Sequence, residues 1–287
     1  MDLSAYSGPR FAFGGTPLDP EDAKVVIFGV PLASTVSYKS GTQFGPNAIR
    51  EASLHIEQYN PQKQKELWEH IKYADFGDVV VPRSDMARAL NRIESITREI
   101  VGNKKIPFML GGEHTITAGA VRAFPDDTVL VWFDAHSDLR EQLDEDTVCH
   151  ATAAKRSLDH LKLENLIQIG VRSMSVEEDE RVRRERIKVF SSDDVKKDDD
   201  IVARFLGDAT KSRNVYISLD IDVLDSKLVP GTGTPEPGGL EYNEVIKLLN
   251  AIKGKVVGMD LVEAARDSER LTETVAAKLA YEMLFLV

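Results

Sequence analysis

Short apolar runs rich in β-branched residues recur along the whole chain, separated by more polar stretches. They predict eight strands: "KVVIFGV" (24–30), "IKYADFG" (71–77), "IPFMLGG" (106–112), "TVLVWFD" (128–134), "NLIQIGV" (165–171), "RIKVFS" (186–191), "NVYISLD" (214–220) and "KVVGMDL" (255–261). Several intervening stretches carry helical spacing. In "DMARALNRIESITREIVGN", Met86, Leu90, Ile93, Ile96 and Ile100 recur at intervals of three and four. "LEYNEVIKLLNAIKG" behaves likewise, with Gly254 as the expected stop, and "ETVAAKLAYEMLFLV" reads as a final helix. "EEDERVRRERIK" (177–188) reads as an exposed helix face, and "SSDDVKKDDD" (191–200) as a solvated loop and helix start. Near-continuously apolar strands that alternate with helices imply an α/β fold, a parallel sheet covered on both faces. No repeat or low-complexity linker divides the chain, so residues 1–287 are expected to form a single domain.

Composition narrows the function classes. The 287 residues can bury a large core, and 42% hydrophobic with 29% charged residues is ordinary for a globular protein. A net charge of -11 argues against nucleic-acid binding and suits a small cationic substrate, as a weak field effect. Cys149 is the only cysteine, so no intrachain disulfide can form, which fits a reducing cytoplasm. The start, "MDLSAYSGPR", has neither the basic residues nor the apolar run of a signal peptide. "VVIFGV" and "YEMLFLV" are too short to span a bilayer, so no membrane association is expected.

Ligands of parallel α/β sheets bind beyond the carboxyl ends of the strands. Metal-ligand residue types collect there: "GGEH" ends in His114, "DAHSD" holds Asp134, His136 and Asp138, "DIDVLD" holds Asp220, Asp222 and Asp225, and Glu263 follows "GMDL". Each block has a plain alternative reading, since paired glycines mostly mark tight turns and Asp-x-Asp is often a turn or cap. On an extended chain every second side chain shares a face, so Asp134, His136 and Asp138 could converge, as could Asp220 and Asp222. Carboxylates gathered this way repel unless a cation lies between them. Four aspartates and two histidines could hold two divalent ions about 3.5–4 Å apart. Oxygen and imidazole donors without thiolate favour Mn2+ over zinc.

These blocks, with "PGTGTPEPGG" after "SLDIDVLD", resemble the signatures of the ureohydrolases, the arginase and agmatinase family. The resemblance runs from "GVPLASTVSYKSGTQFGPNAIREAS" to "GMDLVEAA". It implies a three-layer α/β/α fold with an eight-stranded, mostly parallel sheet and a centre of two Mn2+ per subunit. By position, one ion would take His114, Asp134, Asp138 and Asp220, and the other Asp134, His136, Asp220 and Asp222. Asp138 would orient the attacking water, His150 in "CHAT" would protonate the leaving amine, and Glu263 would bind the guanidinium. Urea and an amine would be the products, and the family's trimers or hexamers imply a homo-oligomer.

Agmatine, giving putrescine for polyamine biosynthesis, is the expected substrate. Where arginases carry a Ser/Thr/Asn-rich loop, this chain has the acidic "LREQLDEDTVCHAT", which suits a distal ammonium better than a carboxylate. Ser175 stands where arginases have an acid for the α-amino group. Arg140 would oppose a dicationic substrate if it pointed inward, and Glu263 has a possible competing partner in Arg266. Departures at Ala33, Cys149, Ser226 and 264–270 bear on the substrate and leave the six ligand positions intact. Adjacent Cys149 and His150 point apart on an extended chain, which disfavours a cysteine dyad. "GTGTPEPGG" lacks the Lys-Ser/Thr ending of a phosphate loop. The alternatives are a ureohydrolase of arginine or guanidinobutyrate and a non-enzymatic metal-binding homologue.

Overall fold

The computed structural model describes residues 11–82 and 84–287. The leader expectation, which falls on residues 1–10, lies outside the described residues. All eight expected strands are present: β1 (Val25–Val30), β4 (Tyr73–Asp78), β5 (Ile106–Gly111), β6 (Val129–Phe133), β7 (Leu166–Val171), β8 (Lys188–Ser191), β9 (Asn214–Asp220) and β10 (Lys255–Val262). They form one sheet in the order β4-β1-β5-β10-β9-β6-β7-β8, with every neighbouring pair parallel. A small antiparallel ribbon of β2 (Tyr59–Asn60) and β3 (Lys65–Glu66) has two-residue strands, too short to leave a hydrophobic signature.

Every residue of β1, β5, β6 and β7 is buried, whereas the edge strands β4 and β8 are only partly so. Alternate residues of one strand feed two separate cores. Val25, Ile27, Val131 and Phe133 pack on one side with α1 (Gly45–Ser53), α8 (Asp199–Thr210), α9 (Tyr242–Ala251) and α10 (Leu271–Leu284). Val26, Phe28, Leu130 and Trp132 pack on the other with α3 (Met86–Gly102), α4 (Ile116–Ala120) and α5 (Ala153–Ser157). Two cores on opposite faces of one sheet make the three-layer α/β/α arrangement. Among the described residues, no helix is long and apolar enough to cross a membrane.

Some local expectations change. "SSDDVKKDDD" is mostly helical: Ser191 caps α7 (Ser192–Lys197) and Asp198 caps α8, each accepting from a backbone N–H in the first turn. The helix expected to stop at Gly254 ends at Ala251. Gly254 instead allows close packing, since a Cβ there would lie 2.4 Å from Val215 Cγ2. The remaining helices are the short α2 (Leu67–His70) and α6 (Val176–Glu185).

The β4 edge is tied to α1 by a buried ion cluster. Arg50, 2% exposed, donates from Nε to Asp75 Oδ2 at 2.7 Å, from Nη2 to Asp75 Oδ1 at 3.0 Å, and from Nη1 to Asp78 Oδ1 at 2.5 Å. Asp78 is exposed, but removing Arg50 leaves the Asp75 carboxylate, its side chain 1% exposed, buried without a cation. Arg50→Met is therefore expected to lower stability by about 3–5 kcal/mol. Chemical denaturation measures it, and an unchanged midpoint would contradict the reading.

Candidate metal centre and active site

The four central strands, β5, β10, β9 and β6, are neighbours although β5 and β6 are consecutive in the strand sequence. A crevice opens where the chain order reverses in this way. At that edge β5 leads to His114, β10 to Glu263, β9 to Asp220 and Asp222, and β6 to Asp134, His136 and Asp138.

The six candidate ligands meet. His114 Nδ1 lies 3.0 Å from Asp134 Oδ2, 3.2 Å from Asp220 Oδ2 and 3.6 Å from Asp138 Oδ2. His136 Nδ1 lies 3.0 Å from Asp222 Oδ2 and 3.5 Å from Asp134 Oδ1. The tightest groups, with ligand atoms within 4.8 Å of one another, are His114–Asp134–Asp220 and Asp134–His136–Asp222. They share Asp134.

Convergence does not come from the pleat alone. β6 ends at Phe133, and Asp138 adopts a left-handed backbone with φ of 51°. Ile221–Val223 form a turn of 3-10 helix, with Asp222 N–H donating to Asp220 Oδ1 at 2.8 Å. Asp222 Oδ1 accepts from Ala135 N–H at 3.0 Å. Backbone donors thus occupy one oxygen of Asp220 and Asp222, and the other faces the centre. Asp134 accepts from His136 N–H at 2.6 Å and from Trp132 Nε1 at 2.9 Å. The Trp132 ring stacks flat on His114, with centroids 3.8 Å apart.

His114 is oriented from beneath. Its Nε2 lies 2.8 Å from Ser218 Oγ, which donates to Asp260 Oδ1 at 2.7 Å. Tyr216 and Thr117 hydroxyls also donate to Asp260, at 2.7 and 2.9 Å. Ser218 has its proton committed to Asp260, so it accepts from His114 Nε2–H, which leaves Nδ1 as the nitrogen a cation would take. That Nδ1 is buried and has no hydrogen-bond partner. A donor set of carboxylate oxygens and imidazole, with an orphaned nitrogen at its centre, fits a divalent cation.

The electrostatics agree. Burial opposes a charge on His114, but the Asp134 carboxylate beside it carries its pKa up to about 9. His136 is raised too, since Asp222 and Asp134 outweigh its burial. Burial and neighbouring carboxylates hold Asp138 and Asp220 well above the usual range, and burial pushes Glu263 up to about 8. The cluster carries surplus negative charge that positive charge must offset.

Glu263 also has a left-handed backbone, φ 61°, and its Oε1 accepts from His114 N–H at 2.8 Å. It does not pair with Arg266, which bonds to Glu51 and lies 3.8 Å from Glu273. The paired glycines serve close approach rather than a tight turn: a Cβ on Gly112 would lie 1.9 Å from Leu32 O. Asp225 turns away to hold the "PGG" loop through Gly238 and Gly239 N–H.

A cavity of about 250 Å³ opens on the cluster, and His114, His136, Asp138, Asp220, Glu263 and His150 all line it. His150 is kept below its ordinary pKa, first by burial and then by His136. Cys149 is buried, and burial pushes its thiol up. Arg140 does line the cavity, but its Nε lies 3.4 Å from the carboxylate of Glu178. Glu178, on the otherwise exposed α6, is buried and also accepts from Ser137 Oγ and Leu139 N–H. Of the acidic loop, Glu141 turns outward to Lys155, Arg156 and Arg181, while Asp144 lines the cavity. Ser175 caps α6. Sequence reasoning missed Glu178, Trp132, Ser218 and Asp260; Trp132, two residues before Asp134 on a strand, was the one readable from spacing.

Known proteins resemble this chain over nearly its whole length. The Arginase family model matches residues 23–286. The agmatinase of Halalkalibacterium halodurans is 36% identical over 98% of this chain and 97% of its own length. The N(1)-aminopropylagmatine ureohydrolase of Thermococcus kodakarensis is 36% identical over 92% of this chain and 91% of its own. The crystal structure of the agmatine ureohydrolase of Thermoplasma volcanium superposes with a TM-score of 0.90 at 37% identity, covering 99% of this chain and 95% of that one. The chain belongs to the arginase family and is a ureohydrolase-type hydrolase. Within that family it is most like the agmatinases.

A divalent cation at about one hundred times its dissociation constant is expected to add about 2.7 kcal/mol of stability per site. Asp134→Ala should abolish that thermal shift, and full metal retention by the variant would refute the cluster. In metal-free protein, Glu263 is neutral near its ordinary 4.5 and ionises only toward about 8 when folded. Its raised value makes it a stability contribution present below 4.5 and lost as pH rises to about 8. Glu263→Gln should flatten that slope in denaturation curves measured across the window.

Proposed function

We propose that this chain hydrolyses agmatine to urea and putrescine at a centre of two Mn2+ ions. The supporting observation is that Glu263, His150 and four of the six cluster residues, His114, His136, Asp138 and Asp220, line one cavity, with Asp134 joining His114 and Asp220 in one candidate ligand group and His136 and Asp222 in the other. Relatives named as agmatinases, similar over nearly the whole chain, support the substrate.

His114, Asp134, Asp138 and Asp220 would hold one ion, and Asp134, His136, Asp220 and Asp222 would hold the other. When bound, the ions bring the pKa of a water toward neutrality and stabilise developing negative charge. Glu263 accepts the guanidinium N–H groups and places its carbon over the cluster. Asp138 accepts a hydrogen bond from the attacking water and fixes its direction. The water adds to the guanidinium carbon, and the bond from that carbon to the chain-bearing nitrogen breaks. Both protons of the water end on the departing amine: His150 takes one up as the water adds and passes it to that nitrogen, and Asp138, which holds the water, hands on the second.

The burial gradient orders the rest of the substrate. Glu263, Asp138 and Asp220 are the buried floor, while Leu143, Met174 and the exposed Asp144 sit toward the mouth. Leu143 and Met174 give apolar wall to a methylene chain. Arg140 is offset by Glu178, and among the described residues Asp144 has no ion-pair partner. Asp144 therefore faces the distal ammonium.

Residues 1–287 act as one domain in a cytoplasmic homo-oligomer, a trimer or hexamer. Sedimentation as a monomer at assay concentration would count against the assembly.

Metal-loaded protein is expected to release urea from agmatine faster than from arginine or 4-guanidinobutyrate, and chelation should stop it. Asp144→Asn should raise KM for agmatine by about two- to fivefold, the order of one solvent-exposed charge pair, with kcat little changed. Preferred turnover of 4-guanidinobutyrate by the wild type would overturn the assignment of the tail. Full metal loading with no turnover of any guanidine would favour a non-enzymatic role.

A further inference from the structure

"GGEH" holds an acidic residue, Glu113, that none of the chemistry above uses. Glu113 is fully buried, one position before His114, and belongs to neither candidate ligand group. Its Oε2 accepts from Thr35 N–H at 2.8 Å, and its Oε1 accepts from Thr35 Oγ1 at 3.0 Å and Thr115 Oγ1 at 2.9 Å. No lysine or arginine pairs with it among the described residues. A buried carboxylate satisfied by hydroxyls and amides alone is costly to keep unless it orders something.

What it orders is next to the cavity. Thr35 Oγ1 lies 3.1 Å from the backbone nitrogen of His150 and 3.3 Å from His150 Nδ1. His150 Nε2 lies 3.3 Å from Ser37 Oγ, and both Ser37 and His150 line the cavity. A threonine hydroxyl has one proton and two lone pairs. With the proton committed to Glu113, the oxygen can only accept from His150. Neutral His150 then carries its hydrogen on Nδ1 and a bare Nε2 toward the cavity.

We propose that Glu113, acting through Thr35, is a positioning residue that sets the ring orientation and tautomer of His150, so that Nε2 is the atom that exchanges protons with the reacting nitrogen. The proposal rests on His150 as the proton donor. The relay joins three segments distant in sequence, the stretch after β1, the end of β5 and the start of the turn at His150. With its hydrogen held on Nδ1, the ring can take up at Nε2 the proton released as water adds and pass it to the reacting nitrogen; reversing the Thr35 hydroxyl would put the hydrogen on Nε2 and leave that atom no lone pair for the uptake.

The test combines a direct view of the proton with kinetics. Neutron diffraction from deuterium-exchanged, Mn2+-loaded crystals in alkaline buffer should show deuterium on His150 Nδ1 and none on Nε2. Deuterium on Nε2 alone would overturn the relay. Thr35→Val removes the hydroxyl at nearly constant volume. It should lower kcat for agmatine by about tenfold or more, a share of the 10²–10⁴ that proton transfer contributes, with KM within about threefold and the bound-metal count unchanged. Thr35→Ser, which restores the hydroxyl, should recover most of the loss. Glu113→Gln, which puts an amide donor where Thr35 donates, should resemble Thr35→Val if it folds. Unchanged kcat in Thr35→Val would sink the proposal even if Glu113→Gln does not fold. Wild-type protein that releases urea from no guanidine would instead remove the agmatine reading, and the neutron result would still decide the relay.

Discussion

Gathering carboxylates where water cannot screen them is the constraint that organises this molecule. Asp134, Asp138, Asp220, Asp222 and Glu263 are all buried at one sheet edge. Such groups cannot all stay ionised without positive charge between them. The strain shows in opposite directions: His114 and His136 are held above their ordinary values, Asp134 below, and Asp138, Asp220 and Glu263 above. The cluster is arranged for cations, and the fold keeps it together against its own repulsion.

That restraint is built in layers. Backbone N–H groups hold Asp134, Asp220, Asp222 and Glu263, while Trp132 stacks on His114 and donates to Asp134. Below them Asp260 collects three hydroxyls and, through Ser218, fixes which nitrogen His114 presents. Asp138 and Glu263 sit in left-handed backbone, a conformation that persists only where surroundings over-determine it. The parallel sheet supplies that rigidity, with a packed core on each face.

The cavity mouth shows why charge counted along a loop misleads. The stretch 139–146 reads as an acidic surface facing the substrate. In space its carboxylates divide: Glu141 clamps three cations on the outside, and Asp144 faces in. Arg140 does point inward, and Glu178, from a helix 38 positions along, offsets it.

Local pattern was enough for the eight strands, because a strand buried on both faces has to be apolar nearly throughout, and that leaves a run in the chain. It also sufficed for the residue types, since the ligand-bearing positions follow those runs directly, and for the family resemblance that the comparisons bear out. Where an element is two residues long, as in β2 and β3, or held by caps, as in α7, burial leaves no such trace. Strand order, the turn that swings Asp138 inward, the identity of Glu178 and Asp260 as supports, and the sharing of Thr35 between Glu113 and His150 were decided only in three dimensions. The physical reason is range. Periodicity reports whether a residue faces a core, whereas the site is made by contacts such as His114 to Glu263, 149 positions apart, and Ala135 to Asp222, 87 apart. Those partners are chosen by how the strands are ordered in the sheet, and no window along the chain contains both.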